Sequence, residues 1–206
     1  MENIKATRME YLKLKKRRKT ALRGYKLLKE KRDGLMKKFM EIIKETKHTR
    51  KEMEESLATA GKQFAIATAS IMEREVEEFF LLPRAKVSVS SKEENIMSVW
   101  VPEFNYQIEG DFKTYSDFTA PLGMTPALKK FWEAFEIMVK LAGIEHAARL
   151  LSFEIEKTRR RVNALEYVII PQIQTKMKYI SAKLDEQERA EKIIRLKIKD
   201  MMTKQA

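Results

Sequence analysis

Cysteine is absent from the 206 residues, which excludes disulfides and thiolate chemistry and fits a reducing compartment. There are only two histidines, His48 and His146, far apart in sequence and beside no carboxylate cluster, so they are read as ordinary exposed or seam-flanking residues. Glycine and proline are scarce, at 6 and 5, and this shortage of helix breakers suits long helices with polar outer faces. No Gly-rich phosphate loop is present: Gly24 and Gly34 lie inside a helical pattern with no strand before them, which argues against nucleotide hydrolysis by the chain itself. Long apolar runs are missing too. None approaches the roughly 20 residues needed to span a bilayer, and Met1 is followed by a charged helix with no apolar signal core, so a soluble, cytoplasmic chain is expected. Adjacent carboxylates such as Glu54 and Glu55, Glu77 and Glu78, or Glu93 and Glu94 lack any sign of the buried surroundings that would separate their pKa values. The expectation is a chain with no catalytic residue, no cofactor and no metal.

What is present is charge and period. Charged residues make up 35% of the chain, and 42 Lys and Arg against 30 Asp and Glu give a formal charge of +12, which points to an acidic partner. From Ile137 to Met201 the apolar residues fall at Ile137, Leu141, Ile144, Ala148, Leu151, Ile155, Thr158, Val162, Leu165 and Ile169, in steps of four and three. That is the period of a coiled-coil seam, broken only by Thr158. It resumes at Ile173, Met177, Ile180 and Leu184 and continues through Gln187 and Glu191 to Ile194, Ile198 and Met201. The steps either side of Ile169 are both four, a stutter that relaxes the supercoil, and Pro171 sits there. Proline costs about 3 kcal/mol in an ordinary helix interior and is best tolerated in a loosened turn. One long helix with a bend or change of pitch at Pro171 is expected.

A second seam runs from residue 3 to about 58, through Tyr11, Leu14, Arg18, Ala21, Tyr25, Leu28, Arg32, Leu35, Phe39 and Ile42, with Leu22, Met36 and Ile43 widening one flank. Such a helix would span roughly 80 Å and needs a partner along most of its length. The C-terminal helix is the comparable segment, and a chain that leaves by one and returns by the other pairs them antiparallel. Pairing between two chains into a dimeric rod is the alternative. The fold class is therefore mainly α: a long antiparallel two-helix coiled coil of residues 1–58 and 137–206, with a small head at 59–136. Within the head, Ser56 to Phe80 reads as one or two short helices with Gly61 as a break, ended by Leu82 and Pro83. Alternation at Val87 and Val89, and at Met97, Val99 and Val101, predicts a β-hairpin over about 86–101, with Ser91 to Asn95 as its loop and Pro102 as its end. Residues 103–126 read as irregular. Phe131, Trp132 and Phe135 form an aromatic face that packs the head against the rod.

Two basic regions are candidate partner contacts. One is Lys13, Lys15, Lys16, Arg17 and Arg18, placed facing Lys192, Arg195, Lys197 and Lys199 on the returning helix; the other is Arg159, Arg160 and Arg161 with Asn163. They could bind phosphates, but they surround a helix without forming one stripe, and no interleaved aromatics offer a base-stacking platform. A basic coiled coil binding nucleic acid, or lying on an anionic membrane surface, is the rival reading.

The run Thr7-Arg8-Met9-Glu10-Tyr11-Leu12-Lys13-Leu14-Lys15-Lys16-Arg17, continued by Gly24 to Asp33, resembles the start of the D subunit of archaeal and vacuolar-type (A-type/V-type) rotary ATPases. The run Glu156 to Tyr167, followed by Ile170 and Pro171, is similar to that family's C-terminal signature. The resemblance covers nearly the whole chain. It implies a non-catalytic central-stalk shaft of a proton- or sodium-translocating complex, peripheral to the cytoplasmic face of the cell membrane. The partners it implies are the catalytic A and regulatory B subunits of the hexamer, the small central-stalk F subunit on the shaft's side, and the subunit that caps the membrane ring. Neither nucleic acid nor direct membrane insertion is expected.

Overall fold

The computed structural model describes residues 5–81, 85–110, 113, 115 and 120–205. The expected helix stop at Leu82 and Pro83 and most of the stretch 111–119 lie outside them. In chain order the elements are α1 (Arg8–Thr68), α2 (Glu73–Phe80), β1 (Lys86–Ile96), β2 (Val99–Glu109), α3 (Met124–Asn163), a π-helical turn (Ala164–Ile169) and α4 (Ile170–Gln205). The chain forms two compact units: residues up to Asp33 with those from Glu156 onward, and Gly34–Ile155.

α1 starts at a side-chain N-cap, Thr7. The Glu10 N–H donates to the Thr7 hydroxyl at 3.2 Å, which satisfies one of the orphan donors of the first turn. Along α1 the covered positions keep the alternating steps of three and four, from Tyr11 and Leu14 to Leu35, Phe39, Ile42 and Thr49, then on to Ala60 and Ala67. Gly61 does not break the helix, because a single glycine costs only about 1 kcal/mol against alanine. Of the flank residues Leu22 and Met36 are exposed and Ile43 is half-buried, so the stripe widens only near Ile43.

In the first unit, Leu14 of α1 is buried with Ile173 and Ile180 of α4, and Tyr11, Ala21, Ile169, Met177 and Leu184 pack around them. The Arg8 guanidinium pairs with Glu188, so the two helices run antiparallel. Seam positions beyond Glu188 differ from expectation: Ile194, Ile198 and Met201 are exposed, and no helix lies beside them among the described residues. The expected change of pitch is present as the π turn just before Pro171.

In the second unit α1 meets α3. Leu35, Leu151 and Ile155 form the core, with Phe39, Ile42, Ile96 and Val99 against it, and Arg50 pairs with Glu145 at 2.5 Å. α3 begins at Met124, earlier than expected, since Pro126 falls in the first turn, where a missing N–H costs nothing. The aromatic residues join the elements of this unit: Phe64 of α1 meets Phe131 at 5.8 Å and Phe80 of α2 at 6.5 Å, while Phe135 meets Tyr106 of β2 at 5.9 Å.

The hairpin differs most from expectation. Ser91 to Asn95 are strand, the turn is Met97-Ser98, and β2 continues through Pro102, paired with Glu93, to Glu109. Both turn residues have positive φ, 52° and 69°, the two-residue geometry that matches strand twist. A left-handed conformation costs roughly 1–2 kcal/mol for such residues. Two contacts offset it: the Ser98 N–H donates to Asn95 Oδ1 at 2.9 Å, and the Met97 side chain lies against the bare backbone at Gly34.

Leu151 is fully buried and Leu22 is 42% exposed. Leu151→Ala should therefore lower unfolding free energy by about 2–5 kcal/mol, while Leu22→Ala should change it by less than about 0.5 kcal/mol. Denaturant unfolding of the two variants checks the contrast.

Candidate partner-binding surface

All thirteen candidate contact residues are exposed. Lys13, Lys15, Lys16, Arg17 and Arg18 occupy the outward turns of α1 around buried Leu14. Lys13 lies 3.9 Å from Glu10, and Arg18 shares a groove of about 390 Å³ with Tyr11, Gln174, Met177, Lys178 and Ser181. One cationic side chain from each of two helices thus lines this groove together with three neutral hydrogen-bonding side chains. A carboxylate could be held there by charge-assisted hydrogen bonds.

The second half of the expected belt is not part of that arrangement. Because Arg8 already pairs with Glu188, Lys192, Arg195, Lys197 and Lys199 lie further along α4 and do not face Lys13 to Arg18. They stand among exposed apolar residues, Ile193 and Ile194, Leu196, Ile198, Met201 and Met202, each 47% exposed or more. Arg195 lies 3.3 Å from Glu191 one turn back. This mixed apolar and cationic end was missed as a surface by sequence reasoning, which took its 3–4 spacing for a continuing seam. The available signal was that polar Gln187 and Glu191 already interrupt that spacing.

Arg159, Arg160 and Arg161 sit on α3 between buried Thr158 and Val162, so their side chains fan around the outward face, with Asn163 after them. Arg160 pairs with Glu156 one turn back. Exposed pairs of this kind contribute little to stability and leave the charge available to a partner.

The second unit holds a different notch of about 380 Å³ between the hairpin, α1 and α3, lined among others by Glu45, Glu94, Glu103, Glu136, Lys140 and Tyr106. The Tyr106 hydroxyl donates a hydrogen bond to Glu136, and this, followed by burial and the Glu136 charge, raises the Tyr106 pKa. Among the described residues no group of three or more His, Asp or Glu is placed to hold a metal ion, and no helix is long and apolar enough to cross a membrane.

Comparison with known proteins bears on the chain as a whole. Residues 10–200 match the family model for the D subunit of ATP synthase. A protein of Thermoanaerobacter sp. (strain X514), named as a V-type ATP synthase D subunit, is 45% identical over 206 residues, covering 99% of each chain. Proteins of the same name from Clostridioides difficile and Clostridium botulinum are 45% and 43% identical, covering 99% and 97% of this chain and 93% and 95% of their own.

Because the raised Tyr106 pKa reflects a neutral phenol favoured in the fold, its contribution is complete below the ordinary tyrosine value of about 10 and is lost as pH rises through the higher folded value. In an ultraviolet titration Tyr106 should ionise above that ordinary value, and Glu136→Gln should bring it back towards it. An unmoved Tyr106 midpoint in the variant contradicts the assignment.

Proposed function

The chain belongs to the family of ATP synthase D subunits, and on that premise we propose that it is the central-stalk rotor shaft of a rotary ATPase, carrying torque between an ion-driven membrane ring and a hexamer of catalytic A and regulatory B subunits. The observation that carries this reading is the far end of α4, which continues past Glu188 with exposed apolar and cationic side chains and no described helix beside it. Such an end suits insertion into a ring of other subunits. The antiparallel pairing behind it supplies the stiffness that torque needs, since two packed helices resist twisting better than one.

In this reading the paired N- and C-terminal helices are the shaft and residues 59–136 the head. The chain adds no catalytic group of its own; it sits at the cytoplasmic face of the membrane as a peripheral component. The cationic groove at Arg18 and Lys178, with Lys13, Lys15, Lys16 and Arg17 around it, meets acidic loops of the hexamer and helps set the shaft's angular position by charge complementarity. Arg159, Arg160, Arg161 and Asn163 contribute to the dock for the small F subunit, and the subunit capping the membrane ring seats the shaft.

The tagged chain should co-purify with the A, B and F subunits. Replacing Lys13, Lys15, Lys16, Arg17 and Arg18 by alanine should reduce the ions moved per ATP in the reconstituted complex while leaving helix content unchanged, and an unaltered coupling ratio removes the proposed role of the belt. Arg160→Ala combined with Asn163→Ala should weaken binding of the purified F subunit about ten-fold, roughly 1.4 kcal/mol. Wild-type affinity in a calorimetric titration counts against that dock.

A further inference from the structure

The notch between the hairpin, α1 and α3 lies wholly within the second unit and plays no part in the proposed shaft role. At about 380 Å³ it falls at the small end of ligand-sized clefts. Its apolar lining comes from both helices and the hairpin: Ile42 of α1, Ile96, Val101 and Phe104 of the strands, and Val139 and Ile144 of α3. Val101 is buried, while the other five are only half-buried and keep apolar surface open to solvent. Covering that surface is favourable roughly in proportion to the apolar area removed from water.

The charged lining is of one sign. Glu45 comes from α1, Glu94 and Glu103 from the two strands and Glu136 from α3, against the single cation Lys140. In a chain with a formal charge of +12 this is a local reversal. All four glutamates are exposed and so stand at the mouth of the notch. The Tyr106 hydroxyl donates a hydrogen bond to Glu136, which fixes that carboxylate in place. Lys92 is the cross-strand neighbour of Glu103, yet the two form no ion pair, and among the described residues Glu45 and Glu94 have none either.

We propose that this notch is a docking site for a lysine-bearing segment of a neighbouring subunit of the ATPase, with an apolar side chain of that segment against the inner lining and its lysine ammonium among the carboxylates at the mouth. An apolar centre with a polar rim is the usual anatomy of such a contact. The rim charges steer encounter and select a cationic partner, and the apolar lining supplies affinity once the segment is seated. Lysine fits this rim better than arginine. The four carboxylates stand on separate elements, which a compact ammonium with three rotatable donors can share, whereas a planar guanidinium suits one carboxylate held in a fork. The proposal rests on membership of the ATPase and is independent of the torque role.

Zero-length carbodiimide cross-linking of the assembled ATPase, read by mass spectrometry, tests the contact, because the reagent joins a carboxylate to an amine only where the two already touch. Glu45, Glu94 or Glu103 should be found linked to a lysine of another subunit. Links from these residues only to lysines of this chain, its own or those of a second copy, overturn the proposal, as does the absence of any link. The full chain carrying Glu45→Gln, Glu94→Gln and Glu103→Gln together should bind the rest of the complex about ten-fold more weakly at low salt, with the difference shrinking as salt is raised and helix content unchanged. Wild-type affinity in that variant also overturns the site. Weaker binding of the variant without any cross-link in the wild type means an arginine occupant and overturns the lysine assignment. A chain that joins the ATPase without carrying torque sinks the shaft reading and leaves the cross-links to judge the notch.

Discussion

The structure depends on one narrow seam. An isolated helix as long as α1 has no core of its own, and its order comes from burying a stripe whose positions alternate by three and four. That stripe serves two partners in succession: α4 around Leu14 in one unit, and α3 around Leu35 in the other. Charged residues are kept off the stripe almost everywhere. Arg18 and Arg32 are the exceptions, and each resolves the conflict differently. Arg18 is exposed and lines the groove beside Lys178, whereas Arg32 is partly covered and bonds Asp33 at 2.7 Å.

Two local strains are held by packing, and both lie where regular structure has to be interrupted. Met97 and Ser98 adopt left-handed backbone geometry because Ile96 and Val99, on either side of the turn, are drawn into the Leu35 cluster, while Gly34 leaves room for the Met97 side chain. The π turn before Pro171 likewise lies between buried Val162 and Ile170, with its Ile169 packed at the edge of the Leu14 cluster. In each case the flanking apolar contacts outweigh a local cost of about 1–3 kcal/mol.

Membership of the family of ATP synthase D subunits gives this architecture its setting: the chain is a component of a rotary ATPase. The distribution of its surface chemistry is consistent with a part that works by contact. Arg18 of α1 and Lys178 of α4 line one groove, while the far end of α4 combines cations with exposed isoleucine, leucine and methionine. Charge favours encounter and register, and apolar area supplies affinity once partners meet.

The helices, their antiparallel pairing and the irregularity near Pro171 were legible in the sequence, because the 3–4 period of apolar residues and the properties of proline are local and survive without knowledge of the partner. The hairpin was legible in kind but not in register. Met97-Ser98 carries no turn signal of its own, and its geometry is imposed by side chains packed on either side of it. The candidate cations were legible as exposed residues, yet their grouping was not: Arg18 joins Lys178, and Lys192 to Lys199 stand apart, because the stagger of α1 against α4 is set by which buried side chains meet. Period and composition decide what a segment is. Only the packed structure decides how far one helix slides along another, and so which charges become neighbours.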